Sequence, residues 1–262
     1  LEIDLGVVSD AFVVVVVGGL GSIPGAFLAA LLIGVIKAFC FALGFSKLTL
    51  AVEFIVMAVV LVLRPWGLLG RPIAEARGPG SLQVPFGVPS RAFLILVTAA
   101  FAVLALAPLL SQGYLLVLLT DILVFALFAT SLHFMMGPGG MASFGHAAFF
   151  GLGAYGAALL VLRLAAPMEV ALVAAPLLAL AGALVSGWFC VRLSGVYLAM
   201  LTLAFSQIVW SVAFQWDAVT GGSNGLIGVW PAPWLASKPA YFYLALVLCG
   251  AMAGMWVLWT VG

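Results

Sequence analysis

The chain has 262 residues, of which 66% are hydrophobic and 6% charged, nine basic against eight acidic. A soluble domain carries roughly a quarter of its residues as charge, so a water-facing exterior is excluded and lipid must solvate most of the surface. A net charge of +1 without a concentrated basic face also excludes nucleic acid as a partner. The expected class is all-α: a polytopic membrane protein of about eight transmembrane helices plus one partial or re-entrant segment.

The chain opens at Leu1 with no Met and no basic n-region, and with Glu2, Asp4 and Asp10 close behind, which reads as an internal piece without a signal peptide. The apolar run Ala11 to Val17 is too short to cross. It is either the stump of a helix cut off upstream or a re-entrant segment packed inside protein. Spans are then predicted at 24–43 and 48–64. Residues 64–92 follow as a linker, since they hold four of the nine basic residues (Arg64, Arg71, Arg77, Arg91) among Pro65, Pro72, Pro79, Pro85 and Pro89. Its arginines mark it as cytoplasmic.

Six further spans are expected at 93–110, 114–136, 141–162, 170–190, 196–215 and 240–261, each near the roughly 20 residues that a crossing helix needs. Alternation from the linker puts 44–47, 111–113, 163–169 and 216–239 outside and Arg192 inside. Arg163 then falls on the side where basic residues are rarer, balanced by Glu169. The expected domains are therefore 1–63, the linker 64–92, and 93–262.

Small residues recur at every fourth position: Gly18, Ser22, Ala26, Ala30, Gly34 and Ala38 in the first block, Gly139, Ser143, Ala147 and Gly151 in the second, and Ala175, Ala179, Ala183 and Gly187 after them. Such stripes let helix backbones approach closely, so they predict a dense multi-helix core. Residues 137–156 hold seven glycines, Pro138 and His146. Each glycine costs a helix about 1 kcal/mol relative to alanine, so the span from 141 is expected to begin with an unwound stretch facing protein or an aqueous cavity.

Ionisable residues within spans are few. Lys37 and Glu53 lie near span ends and are expected to snorkel to the interface. Asp121, two turns into its span, is costly to bury and keeps an ion-coupled carrier or channel open as a competing class. His133 is placed near the cytoplasmic boundary, and His146 reads as a packing group or a pathway residue. Cys40, Cys190 and Cys249 occupy separate spans and are expected as buried packing residues, with neither a disulfide framework nor a Cys-x-x-Cys metal site.

Gly151-Leu-Gly-Ala-Tyr-Gly156 matches a dinucleotide fingerprint, but no strand is predicted before it. There is no Gly-Lys-Ser or Gly-Lys-Thr, no His-Glu-x-x-His and no paired carboxylate set. No metal, cofactor or catalytic residue is expected, and the chain is read as a transport subunit, not an enzyme.

The run Gly137-Pro-Gly-Gly-Met-Ala-Ser-Phe-Gly-His-Ala-Ala-Phe-Phe-Gly-Leu-Gly-Ala-Tyr155 resembles the signature of branched-chain amino acid ABC transporter permeases, as does Trp216-Asp-Ala-Val-Thr-Gly-Gly-Ser-Asn-Gly-Leu226. Val17-Gly-Gly-Leu-Gly-Ser-Ile-Pro-Gly-Ala26 and Arg64-Pro-Trp-Gly-Leu-Leu-Gly70 resemble the closing part of the partner permease in the same family. The chain thus resembles the end of one permease fused to the beginning of its partner. The resemblance implies an importer of branched-chain or other hydrophobic amino acids in the inner membrane. It also implies separate ABC ATPase subunits, an extracytoplasmic substrate-binding protein and other permease segments as partners.

Further implied are pathway residues among Gly139, Gly140, Ser143, Gly145, His146, Thr220, Gly221, Gly222, Ser223 and Asn224, with Gly18, Ser22, Ala26, Ala30, Gly34, Ala147 and Gly151 in helix packing. A urea or small-amide importer shares much of this pattern. The family's ATPase-coupling loops fall beyond both ends of this sequence, so the chain alone is not expected to couple to ATP.

Overall fold

A computed structural model describes residues 2–72, 91–110, 114–137, 139–230, 232–236 and 239–261. Among them the regular structure is helical throughout: α1 (Glu2–Gly18), α2 (Ile23–Ala42), α3 (Thr49–Leu63), α4 (Arg91–Leu110), α5 (Tyr114–Met136), α6 (His146–Leu164), α7 (Met168–Cys190), α8 (Gly195–Gln215), α9 (Asp217–Thr220), α10 (Pro233–Ala236) and α11 (Pro239–Val261), with short 3-10 turns at Ser46–Leu48 and Gly222–Asn224. Five of these, α2, α5, α6, α7 and α8, are long and apolar enough to cross a membrane; α1, α3, α4 and α11 contain shorter apolar segments. The chain is a polytopic membrane protein. Most of the predicted linker, residues 73–90, lies outside the described residues, as do the predicted turn 111–113 and Gly262.

Helix ends follow local chemistry. Ser22 caps α2, its Oγ accepting the Gly25 N–H at 3.1 Å, and Pro24 occupies the first turn, where a missing N–H costs nothing. α3 stops at Leu63, before Arg64-Pro65. The α6 helix ends on Ala165 in the left-handed conformation, and Pro167 then opens α7 with Glu169 in its first turn, where a carboxylate favours the helix dipole.

Contacts divide the chain into two units, Leu1–Glu75 with Met141–Val229 and Ala76–Gly140 with Trp230–Gly262. In the first unit one core joins Val13, Val16 and Val17 of α1, Ala29 and Ile33 of α2, and Phe54, Met57, Ala58 and Leu61 of α3 to Cys190 and to Leu198, Met200, Leu201 and Ala204 near the start of α8. The run Ala11 to Val17 is thus the closing part of a helix; its Val13, Val16 and Val17 sit in this core while Val15 faces outward. In the second unit Leu116 and Leu123 of α5 pack with Tyr243 and Val247 of α11, and the Tyr243 hydroxyl donates to the Leu104 carbonyl at 2.9 Å.

The first unit has two distinct ends. At one, Lys47 lies 2.7 Å from Asp217 and Arg163 donates to the Ala218 carbonyl, which gathers the α2–α3 turn, the end of α6 and the segment after α8. At the other, the Leu68 and Leu69 N–H groups donate to Val17 and Gly18 at 2.8 and 3.0 Å, and Pro65, Trp66 and Pro72 line a small cavity with the α7–α8 turn from Arg192 to Tyr197. Segments predicted on one side of the bilayer come together at one end of this unit.

The packing corrects several expectations. Lys37 and Glu53 do not snorkel: Glu53 is 4% exposed, and its carboxylate lies 2.6 Å from the Lys37 ammonium, which also lies 3.4 Å from Asp10. This triad ties α1, α2 and α3 together, because a carboxylate buried at this depth must carry its counter-ion with it. Burial of the cysteines is uneven as well: Cys190 is buried, Cys40 half-buried and Cys249 exposed.

The small-residue stripes also resolve. A Cβ on Gly18 would stand 2.4 Å from the Ala26 nitrogen, so these two backbones touch. The buried stripe of α2 is Gly25, Ala29 and Ile33, one residue before the predicted Ala26, Ala30 and Gly34; Ala30 and Gly34 are exposed. Gly153 of α6 faces α7: its added Cβ would lie 3.6 Å from the Ala175 carbonyl and 3.7 Å from the Ala179 methyl, so these two members of the third stripe pack there, whereas a Cβ on Gly187 would meet nothing within 4 Å.

Candidate functional site

The glycine-rich segment unwinds where its composition predicts. α6 starts at His146, not at 141, and Met141–Gly145 has no regular structure. This irregular stretch rests on α8 at Thr202, seven residues and therefore about 10 Å into that helix. Backbone polar groups at such depth must be satisfied by protein. The Phe144 N–H donates to Thr202 Oγ1 at 3.1 Å, and the Gly145 N–H to Ser143 Oγ at 3.3 Å, with Ser143 buried.

Glycine at 145 has a direct steric cause, since a Cβ there would lie 2.2 Å from the Thr202 carbonyl oxygen. Replacing Thr202 by valine removes the acceptor for the Phe144 N–H and is expected to cost about 1–3 kcal/mol. The check is a lowered unfolding midpoint in detergent, with helicity at low temperature unchanged.

Because α6 begins beside α8 and ends near α9, a groove of about 1090 Å³ runs between them. Its walls are Ala147, Gly151, Tyr155, Gly156 and Leu159 from α6 and Ser206, Gln207, Trp210 and Phe214 from α8, and its mouth is formed by Arg163, Trp216, Thr220, Gly222, Ser223 and Asn224. The mouth is a built turn. Thr220 is buried, with its Oγ1–H shared between the Ala213 and Trp216 carbonyls, the latter at 2.9 Å. Gly221 and Gly222 take φ values of 76° and 58°, and an added Cβ at Gly222 would meet the Asp217 carboxylate, so neither position accepts a side chain without strain.

The predicted site residues separate accordingly. Thr220, Gly222, Ser223 and Asn224 line the mouth together with Ala147 and Gly151 on the α6 wall, while Gly221 lies within the same turn. Ser143 and Gly145 form the support beneath α6 and do not line the groove. His146, half-buried, opens α6 and meets Phe149 edge-on at 6.5 Å. Gly139 and Gly140 belong to the second unit, exposed just after α5. Asp121 and His133 are also exposed on that unit.

Sequence reasoning missed Tyr155, Arg163, Ser206 and Gln207 as lining residues. The signal for the last two was present: Ser206-Gln207 is an adjacent polar pair in the middle of the predominantly apolar α8. Among the described residues no group of three or more metal-ligating side chains occurs.

A family model described as the branched-chain amino acid transport system permease component matches residues 114–261, more than half of the chain. The chain belongs to this permease family. The match takes in α5 to α11 and hence both walls of the groove. Among individual permeases, BraD of Pseudomonas aeruginosa, a high-affinity branched-chain amino acid transport system permease protein, is 46% identical over 65 residues, 25% of this chain and 21% of that protein. LivH of Escherichia coli K12, a permease protein of the same description, is 40% identical over 65 residues with the same coverage. LivM of that strain is 32% identical over 113 residues, 43% of this chain and 26% of its own length. The chain therefore spans between a fifth and a little over a quarter of the permeases it matches. No solved structure matches it.

Proposed function

We propose that this chain is a pathway-forming permease segment of an ABC importer for branched-chain or other hydrophobic amino acids. The observation that carries this reading is the groove between α6 and α8: an apolar cleft at membrane depth with a few convergent polar groups, within the stretch that matches the permease family. Such a surface suits a solute whose bulk is apolar and whose polar groups are small. ATP hydrolysis is assigned to separate ATPase subunits, and delivery of substrate to an extracytoplasmic binding protein, in the inner membrane. In this reading the Arg163–Lys47–Asp217 end faces out, and the Arg64–Arg192 end faces the cytoplasm, in keeping with the positive-inside bias.

The segment 1–63 is read as the closing part of one permease, 64–92 as a linker and 93–262 as the opening part of the partner permease. Its support is the matches to BraD and LivH, short and of high identity, beside longer ones to LivM. The pathway residues proposed are those of the mouth, Thr220, Gly221, Gly222, Ser223 and Asn224, with Ser143, Gly145 and His146 as the support that sets the α6 wall, and Gly139 and Gly140 as the preceding turn.

The test is uptake of labelled leucine into vesicles holding the chain with its ATPases and binding protein, with and without ATP and with unlabelled urea in excess. Uptake that requires ATP and is indifferent to urea is expected. Competition by urea would move the substrate to small amides; uptake driven by an ion gradient without ATP would replace the reading with a carrier centred on Asp121.

A further inference from the structure

Arg163 sits in the last turn of α6, exposed at the mouth of the groove, on the end of the first unit where basic residues were least expected. One guanidinium N–H donates to the Ala218 carbonyl, which fixes the group over the mouth and leaves most of its five donors uncommitted to that bond. Asp217, the residue before Ala218, is engaged by Lys47 at 2.7 Å. The ion pairs within 4 Å among the described residues are this one and the two made by Lys37, so Arg163 has no such pair there.

A planar, permanently charged fork above an apolar wall matches a small molecule that carries a carboxylate at one end and a hydrocarbon at the other. We propose that Arg163 recognises the carboxylate of the amino acid at the mouth of the groove, while the apolar side chain of the ligand turns toward Leu159 and Phe214. This rests on the reading of the groove as the amino acid pathway. It gives the arginine a reason to stand where the charge bias of membrane loops disfavours it.

The experiment uses the full chain in lipid nanodiscs, with Cys40→Ser and Cys249→Ser to remove the accessible thiols and Ser223→Cys as a reporter in the exposed mouth. The rate of its alkylation by N-ethylmaleimide is measured against rising leucine and against isoamylamine, which has the same side chain and amine without the carboxylate. Leucine is expected to protect and isoamylamine to require at least about tenfold more for equal protection, as the loss of a charged hydrogen bond implies. Arg163→Gln should abolish that difference and Arg163→Lys should keep part of it, a pattern that a merely structural anchor would not produce.

Leucine protection that is undiminished in Arg163→Gln, or equal protection by the two compounds, overturns the assignment and leaves the pathway standing. Absence of protection by leucine in the parent chain removes both.

Discussion

Replacing Lys37 by alanine is expected to destabilise the first unit by about 3–5 kcal/mol, the cost of leaving a buried carboxylate without its counter-ion. Glu53 is 4% exposed and its oxygen is 2.6 Å from the Lys37 nitrogen, so no water shell is ready to replace the ammonium. Asp10 contributes less, because it is more than half exposed and 3.4 Å away. The paired change Lys37→Met with Glu53→Gln should recover most of the loss, since removing both charges leaves no bare ion behind. Unfolding in mixed micelles of rising dodecyl sulfate fraction, followed by helicity, reads the difference. A single Lys37→Ala variant as stable as the parent would show that the triad is hydrated and contributes little.

The second large effect falls at Gly145. An added Cβ would lie 2.2 Å from the Thr202 oxygen and 2.8 Å from its carbonyl carbon, and both are backbone atoms of α8. A side chain here cannot be relieved by rotating a neighbour, so α6 must move off α8 and take the groove wall with it. Overpacking commonly costs 1–3 kcal/mol, and a backbone obstacle places Gly145→Ala at about the upper end of that range. Gly151→Ala is the matched control: its Cβ meets nothing within 4 Å, and the change should be neutral or slightly stabilising. Thermal unfolding in detergent separates the two, with transport lost in the first and retained in the second. Equal behaviour of both variants would mean that the approach of Gly145 to α8 does not set the groove.

These two sites differ in how far they could be read from sequence. The late start of α6 was legible, because seven glycines and a proline within residues 137–156 make a continuous helix unfavourable whatever surrounds them. The turn at Thr220 to Gly225 was legible for the same local reason. The ion triad was not: Asp10, Lys37 and Glu53 are far apart in sequence, Lys37 and Glu53 taken singly read as snorkelling groups and Asp10 as one of several early acids, so that only the mutual packing of α1, α2 and α3 reveals the triad.

Small-residue periodicity pointed to α2 as a packing helix but put its stripe one residue late, at Ala26, Ala30 and Gly34 in place of Gly25, Ala29 and Ile33. Only the approach of Gly18 and of α3 decides between them. The groove was half legible. Its mouth lay in a quoted motif, whereas Arg163 is a long-range participant placed by its bond to Ala218.

The permease reading depends on the groove being open to solute. Gly151 lines it, and an added Cβ there would meet no protein atom within 4 Å, so Gly151→Phe sends its ring from an unobstructed position into the groove; Gly34 has an equally unobstructed Cβ position but lies outside the groove on α2. The measurement is ATP-dependent leucine uptake by the assembled importer carrying either change, at matched membrane levels. Loss of uptake in Gly151→Phe with uptake retained in Gly34→Phe is the predicted result, and full uptake through Gly151→Phe would contradict the assignment of this groove to the pathway.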